Sequence, residues 1–325
     1  MSEPIDEFAW IDSLRSLTHG DSRALNLQDD AAVIPGRPGW DLVISKDAMV
    51  EGVHFLSREE RSVVARRLIR TALSDLAAKA AQPFGYFLMT AWPAGGDPAD
   101  RAGFIQGLAA DGEQFGIALL GGDTVSTPGP MTVCATVLGW APAGRTLLRS
   151  GALAGDTLVV CGFIGDGRLG LEALRGAIPD HDGSLANHYR LPTPLLSLRS
   201  ALIEHARAAA DVSDGLLADA GHIASASGVG LTIELERIRL SPAAASWCDA
   251  QSSPVAARLT LATGGDDYAL VCAVAPEKAE RFVNAVEALG APASVAGSFT
   301  GGGRLRVIAG GRELEVASLG WRHAG

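Results

Sequence analysis

Aspartates recur where an apolar run ends or a glycine turn begins: Asp29 and Asp30 in QDDAAV, Asp47 in ISKDAMVEGVHF, Asp123 in LLGGDT, Asp211 and Asp214 in DVSDG, Asp266 and Asp267 in TGGDDY. Asp75, in ALSDLAAKAA, falls inside an otherwise apolar helix face. A carboxylate there lowers helix propensity and is unfavourable unless something binds it. Strand C-terminal ends are where α/β folds collect their ligands. If these carboxylates converge they repel, by roughly 4 kcal/mol for two unit charges about 4 Å apart at an effective dielectric of 20. Such a cluster stays ionised only with cations among its members. All-oxygen donors, with no Cys or His at metal-ligand spacing, select Mg²⁺ over Zn²⁺. Magnesium enters such sites partly hydrated and shared with substrate phosphates, which is the logic of phosphoryl transfer. Asp29, Asp219 and Asp267 read equally well as helix caps or turn residues.

The common nucleotide signatures give little. No GxxxxGK[ST] occurs, so the chain is not a P-loop enzyme. A formal GxGxxG does occur at Gly165, Gly167 and Gly170, after DTLVVCG. A dinucleotide fold needs a second strand ending in an acidic residue about 20 residues later, and PDHDGSLANHYRLPTP is polar loop instead. That segment could still offer backbone N–H groups to a phosphate at a helix N-terminus.

These residues need elements to position them. Residues 5–17 read as an amphipathic helix and 41–50 as a buried strand ending in charge. Val64, Leu68, Leu73, Leu76 and Ala80 recur at helical spacing, so 59–81 is a helix with Arg66, Arg67 and Arg70 on other faces. Residues 84–92 are a strand, 98–115 a helix, 117–123 a strand running into a glycine turn, and 131–140 a strand. The turn-rich stretch 145–156 suggests a boundary, with domains 1–144 and 145–325. Beyond it come strand DTLVVCG, helix 166–176, a loop through 191–194, a helix to about 209, strand 229–235, helix 277–289 and closing strands. Strands alternating with helices imply α/β or α+β architecture, and 325 residues favour two domains.

Composition narrows the partners. A formal charge of −10 argues against a nucleic-acid surface, which needs a basic stripe. Cys134, Cys161, Cys248 and Cys272 form no CxxC pair and sit in apolar stretches, as buried free thiols do. The start MSEPIDEFAW lacks the basic and apolar regions of a secretory signal, and no run of about 18 apolar residues suits a bilayer. A cytoplasmic location without membrane association is the expectation.

Taken in order, DDAAV, SKDAMVEGVHF, LSDLAA, GGDT, LRSGALAGD, GFIGDGRLGL, DVSDGLLADAGHI, TGGDDYAL and the terminal GWRH resemble the thiamine-monophosphate kinase family nearly end to end. That family belongs to the ATP-binding superfamily of aminoimidazole ribonucleotide synthetase and selenophosphate synthetase. Selenophosphate synthetase needs a reactive cysteine near its N-terminus, and the first cysteine here is Cys134. The hydrogenase-maturation relative carries a C-terminal cysteine, whereas this chain ends GWRHAG.

The resemblance implies a two-domain fold like that of aminoimidazole ribonucleotide synthetase. Its N-terminal mixed sheet would pair with a second subunit into a barrel-like homodimer, and a C-terminal α/β domain would complete the active-site cleft. Asp30, Asp47, Asp75, Asp123, Asp211 and Asp214 resemble Mg²⁺ ligands, with Ser45 as an extra oxygen. Gly122, Asp123, Arg149 and Ser213 resemble ATP-contacting positions; His54, Asp266 and Trp321 resemble those that hold thiamine monophosphate. The chain departs from the family pattern at Gln28 and Ala80, where glycines are usual, and at Ala72, in place of an asparagine. Asp266 stands for a glutamate and Lys46 for a hydroxyl residue. A charged lysine has no acceptor lone pair, so Lys46 could instead neutralise carboxylates or contact a phosphate. The implied chemistry is direct transfer from ATP to a phosphate oxygen already dianionic at neutral pH, with no catalytic general base and no phosphoenzyme. The alternatives are another phosphorylated acceptor, or a non-catalytic binder of nucleotide or thiamine phosphate.

Overall fold

The strand Trp40–Val50 (β1) shows how local sequence sets up the first unit. Its odd-numbered residues turn one way, with Ser45 and Asp47 half-buried and Met49 buried, while Leu42, Ile44, Lys46 and Ala48 remain exposed on the other face. The computed structural model describes residues 7–95 and 97–321, leaving the ends of the expected 5–17 helix and GWRH tail outside. It divides into one unit of Met1–Leu76 and Ala81–Gly144, and another of Ala77–Ala80 and Arg145–Gly325.

In the first unit, α1 (Glu7–Leu14), α2 (Arg61–Ala78) and α3 (Pro98–Phe115) accompany a four-stranded sheet. The strands are β1, β2 (Gln82–Pro93), β3 (Ala118–Thr127) and β4 (Thr132–Pro142), in the order β1-β4-β2-β3. All neighbours are antiparallel except β2 and β3. The stripe of Val64, Leu68, Leu73 and Leu76 on α2 is fully buried. On the helix's other faces, Arg67 and Arg70 are buried too. Asp111 of α3, itself without exposure, accepts from Arg66 Nε at 2.9 Å and Arg70 Nε at 2.7 Å. Opposite charges thus lock α2 to α3, and removing one partner of such a buried pair is strongly destabilising. β3 also differs from its expected end: it runs on through Gly121 and Gly122 to Thr127, with Asp123 in mid-strand opposite Met89.

In the second unit a seven-stranded mixed sheet has the order β11-β10-β7-β9-β5-β8-β6. Its strands are β5 (Thr157–Cys161), β6 (Ala206–Asp211), β7 (Gly230–Glu234), β8 (Leu270–Val274), β9 (Ala293–Thr300), β10 (Leu305–Ala309) and β11 (Arg312–Leu314). Its helices are α4 (Asp166–Leu174), α5 (Ser184–Arg190), α6 (Arg199–His205), α7 (Leu216–Ser227), α8 (Pro242–Asp249), α9 (Pro254–Ala262) and α10 (Pro276–Ala288). Leu158 and Val160 of β5 join a core with Leu216, Leu217 and Ile223 of α7, whereas Val159 and Cys161 join one with Leu202 of α6 and Phe282 of α10. Burial on both faces explains why these strands read as unbroken apolar runs.

Three local expectations are corrected. Residues 206–211 are strand β6 rather than the end of a helix, because pairing with β8 overrides the helical preference of ARAAAD. The polar stretch before Leu191 holds α5. The unassigned region after 235 holds α8 and α9, signalled by Ser241-Pro242 and Ser253-Pro254, whose serine side chains accept from Ala244 and Ala256 N–H groups. The four cysteines are buried and free, as expected.

Beyond the last turn of α2, Ala80 takes the left-handed conformation at φ 52°, while Ala80 N–H bonds Ala77 O and Ala81 N–H bonds Leu76 O. This is a glycine-type helix stop carried by a residue with a Cβ. Ala80→Gly is therefore expected to stabilise the protein by about 1 kcal/mol, read as a higher urea midpoint.

Candidate functional site

On the inward face of β1, the Ser45 hydroxyl donates to Asp75 Oδ2 across 2.5 Å, tying the strand to α2. Two residues on, Asp47 faces Thr71, one helical turn before Asp75. Burial pushes the Asp47 carboxyl above its ordinary range; a bond from Thr71 opposes this, the neighbouring Asp75 charge adds to it, and Arg67 opposes it. Ala48 N–H donates to Asp47 Oδ1 at 2.9 Å. Four oxygen side chains, Ser45 and Asp47 from the strand and Thr71 and Asp75 from the helix, thus meet, a donor set suited to a hard divalent ion. Thr71 was not singled out in the sequence; its signal was the i,i+4 spacing to Asp75, which puts both on one helix face.

On the opposite face of the same sheet lies a cavity of about 410 Å³, lined by Asp29, Asp30, Lys46, Gly122 and Asp123, with Leu14, Leu27 and Phe87 among its apolar walls. Asp29 behaves as a turn residue, its Oδ1 accepting Asp30 N–H at 2.8 Å. At Gly122 a Cβ would meet Leu88 O at 1.9 Å, so only glycine lets β3 sit this close to β2. Thr90 and Thr124 share a 2.8 Å hydroxyl contact on the cavity wall. His54 sits just past β1, where its Nδ1 accepts Val50 N–H at 3.0 Å, so this nitrogen is unprotonated.

The second unit gathers the other expected residues. Asp211, buried, ends β6 opposite Leu270. The irregular chains beyond remain zipped: Tyr268 N–H donates to Val212 O at 2.8 Å and Asp266 N–H to Ser213 O at 2.9 Å. Asp266 adopts φ 68° and accepts the Tyr268 hydroxyl at 3.1 Å. Trp321 N–H donates to Asp214 O at 2.8 Å, leaving its side chain 60% exposed beside that loop. Asp219 Oδ2 accepts the N–H groups of Ser213, Asp214 and Gly215 at 3.1, 3.1 and 3.2 Å, so one carboxylate shapes the whole DVSDG turn. Ligand atoms of Asp214, Asp219 and His222 lie within 4.8 Å of one another. Sequence reading missed His222, although its i,i+3 spacing from Asp219 places the two on one face of α7.

The glycine fingerprint is spent internally. Gly165 N–H donates to both oxygens of Asp267 at 2.9 Å, and Gly167 N–H to Oδ1 at 3.0 Å. Asp267 is buried, and that burial raises its pKa. These N–H groups hold a side-chain carboxyl, so they are not the phosphate cradle the motif suggested. Expected ligands thus fall in three places: Ser45, Asp47 and Asp75 on one face of the first sheet, Asp30, Gly122 and Asp123 at the cavity on its other face, and Asp211, Ser213, Asp214, Asp266 and Trp321 in the second unit. Arg149, also in the second unit, is near enough to Asp219 to lower its pKa.

Residues 28–141 match the family described as AIR synthase related protein, N-terminal domain, and residues 154–310 its C-terminal domain. A thiamine-monophosphate kinase of Caulobacter vibrioides is 56% identical over 310 residues, 95% of this chain and 88% of that protein. The crystal structure of thiamine-monophosphate kinase from Stenotrophomonas maltophilia superposes with a TM-score of 0.82 at 32% identity, covering 93% of this chain and 96% of the other. A structure described as AaThiL complexed with AMPPCP and TMP superposes with a TM-score of 0.77 at 25% identity, covering both chains in full.

Burial, reinforced by the Asp214 charge, pushes the Asp219 carboxyl up to about 7, against the N–H bonds and Arg149. For an acid whose pKa is raised by folding, the stabilising contribution is complete below the ordinary value of 3.8 and is lost as pH rises through about 7. In metal-free protein, the stability of wild type is expected to fall across that window more steeply than that of Asp219→Asn. Urea midpoints measured at several pH values check this, and parallel curves would contradict it.

Proposed function

The chain belongs to the thiamine-monophosphate kinase family, and we propose that its reaction transfers the γ-phosphoryl group of ATP to thiamine monophosphate, giving thiamine diphosphate and ADP. The observation that carries the site assignment is the meeting of Ser45, Asp47 and Asp75 on one seam, with Asp30, Gly122 and Asp123 lining a cavity of about 410 Å³ on the other face of that sheet. That volume lies within the range of small-molecule sites.

Gly122, Asp123, Arg149 and Ser213 are the proposed nucleotide contacts. Gly122 gives bare backbone at the cavity wall, and Arg149 brings a guanidinium suited to phosphate. His54, Asp266 and Trp321 are the proposed thiamine monophosphate contacts. The exposed indole of Trp321 offers an aromatic face to a cationic ring, and Asp266 a compensating negative charge. The acceptor phosphate is largely dianionic at neutral pH, since its second pKa is about 6. Its oxygen attacks the γ-phosphorus while the bond to the β-phosphate oxygen breaks, so the protein has no proton to remove. Its task is to hold two anions in line despite their repulsion.

Asp30, Ser45, Asp47, Asp75, Asp123, Asp211 and Asp214 would hold Mg²⁺, an assignment supported by their all-oxygen chemistry and by the burial that raises Asp47. When bound, Mg²⁺ supplies positive charge to the phosphates and polarises them. In this reading the first unit is the nucleotide, metal and dimerisation domain, and the second supplies the remaining ligands. A homodimer fits the exposed Leu42, Ile44 and Val125 on one face of the first sheet. No helix among the described residues is long and apolar enough to cross a membrane, and we place the enzyme in the cytoplasm.

Incubation with ATP, Mg²⁺ and thiamine monophosphate is expected to yield thiamine diphosphate, followed by chromatography. Asp47→Asn and Asp75→Asn are each expected to lower kcat about a hundredfold or more, the scale of losing one fixed electrostatic partner of a transferring group. Wild-type rates in both variants would remove the ligand assignment, and product with a different acceptor only would remove the substrate assignment.

A further inference from the structure

We propose that Lys46 is a tethered cation in the nucleotide cavity, contacting the polyphosphate directly and doing part of the neutralising work of a divalent metal. The inference rests on the reading of that cavity as the nucleotide site.

The chain has three lysines among 27 basic residues, so lysine is a rare choice here. The other two are used structurally: Lys79 donates to Ala209 O at 2.9 Å and Lys278 to Glu204 O at 3.3 Å. The Lys46 side chain forms no hydrogen bond or ion pair with any described residue. Yet it lines a cavity whose other charged walls are Asp29, Asp30 and Asp123. An exposed ammonium that shares a cavity with three carboxylates and pairs with none of them has its donors available to a ligand.

The sheet register fixes where that charge stands. Lys46 is opposite Thr136 on β4, which is opposite Phe87 on β2, which is opposite Gly121 on β3. Asp123 lies two residues further along β3, on the same face. Lys46 and Asp123 therefore stand three strand spacings apart, roughly 14 Å, at opposite sides of the sheet. Lys46 lines the cavity together with Cys134 and Thr136 of β4, so its side chain stands on the cavity face of the sheet. A polyphosphate there meets carboxylates at the Asp123 side, which require an intervening metal. On the Lys46 side it meets a point charge suited to a phosphate oxygen without one.

The test is calorimetric binding of AMPPCP to the full chain, in EDTA and in saturating Mg²⁺, for wild type, Lys46→Thr and Lys46→Arg. Lys46→Thr is expected to weaken binding in EDTA by about tenfold or more, the worth of one charge-assisted phosphate contact, and to weaken it less in Mg²⁺. Lys46→Arg, which keeps the charge, is expected to restore most of the EDTA affinity. The Mg²⁺ dependence of nucleotide affinity should also be steeper in Lys46→Thr than in wild type. Equal EDTA affinities for wild type and Lys46→Thr, or an equal loss in Lys46→Arg, with Mg²⁺-supported binding intact, would overturn the role of Lys46 alone. Absence of AMPPCP binding to wild type even in Mg²⁺ would overturn the cavity assignment and this inference with it.

Discussion

The short contact between Ser45 and Asp75 is the constraint on which the first unit's chemistry depends. It joins the edge strand β1 to a buried helix by a hydrogen bond whose acceptor is a carboxylate that would otherwise sit inside an apolar face. Because β1 alternates, fixing Ser45 inward fixes Asp47 inward two residues later and turns Lys46 outward between them. A slip of one residue would exchange these roles and present lysine to Asp75. The eleven paired positions between β1 and β4 make that slip unfavourable along the whole strand. α2 is itself anchored by the Arg66, Arg70 and Asp111 cluster, so the carboxylate is carried on an element with little freedom to move.

Backbone approach is the second theme. Glycine appears where one strand or loop presses on another: Gly122 against Leu88 O, Gly265 against Ser213 O. Each brings main chain close to where a charged side chain is presented, Asp123 in one unit and the Asp211–Asp214 turn in the other. The turn is then shaped by Asp219, whose single oxygen collects three successive N–H groups. Carboxylates in this protein have two distinct employments. Asp219 and Asp267 satisfy backbone donors, while Asp30 and Asp123 border the cavity. Burial separates the two classes: Asp219 and Asp267 are buried, Asp30 and Asp123 are exposed.

An acidic protein that handles phosphorylated substrates needs positive charge supplied locally. At a net charge of −10 the chain has no broad basic field to offer. Metal ions among the carboxylates, the guanidinium of Arg149 and the ammonium of Lys46 are the proposed sources, each placed at a point rather than spread over a face. That economy suits phosphoryl transfer, in which charge must be matched along a line of oxygens.

Much of this was legible in the residues themselves. The apolar spacing of α2, the alternation of strands and helices, and the odd placement of Asp75 each follow from local chemistry, and the ordered motifs identify the family. What sequence could not separate was one aspartate from another. Asp267 and Asp30 look alike as letters, yet one is buried against Gly165 and Gly167 N–H groups and the other borders a cavity, a difference made by contacts across 100 residues of chain or more. Likewise ARAAAD has the composition of a helix and becomes β6 because β8 offers it a ladder. Local propensity is worth fractions of a kcal/mol per residue, whereas pairing and burial act on whole segments at once. Tertiary structure therefore decided which carboxylates are structural and which are available, and sequence decided that carboxylates would do the work.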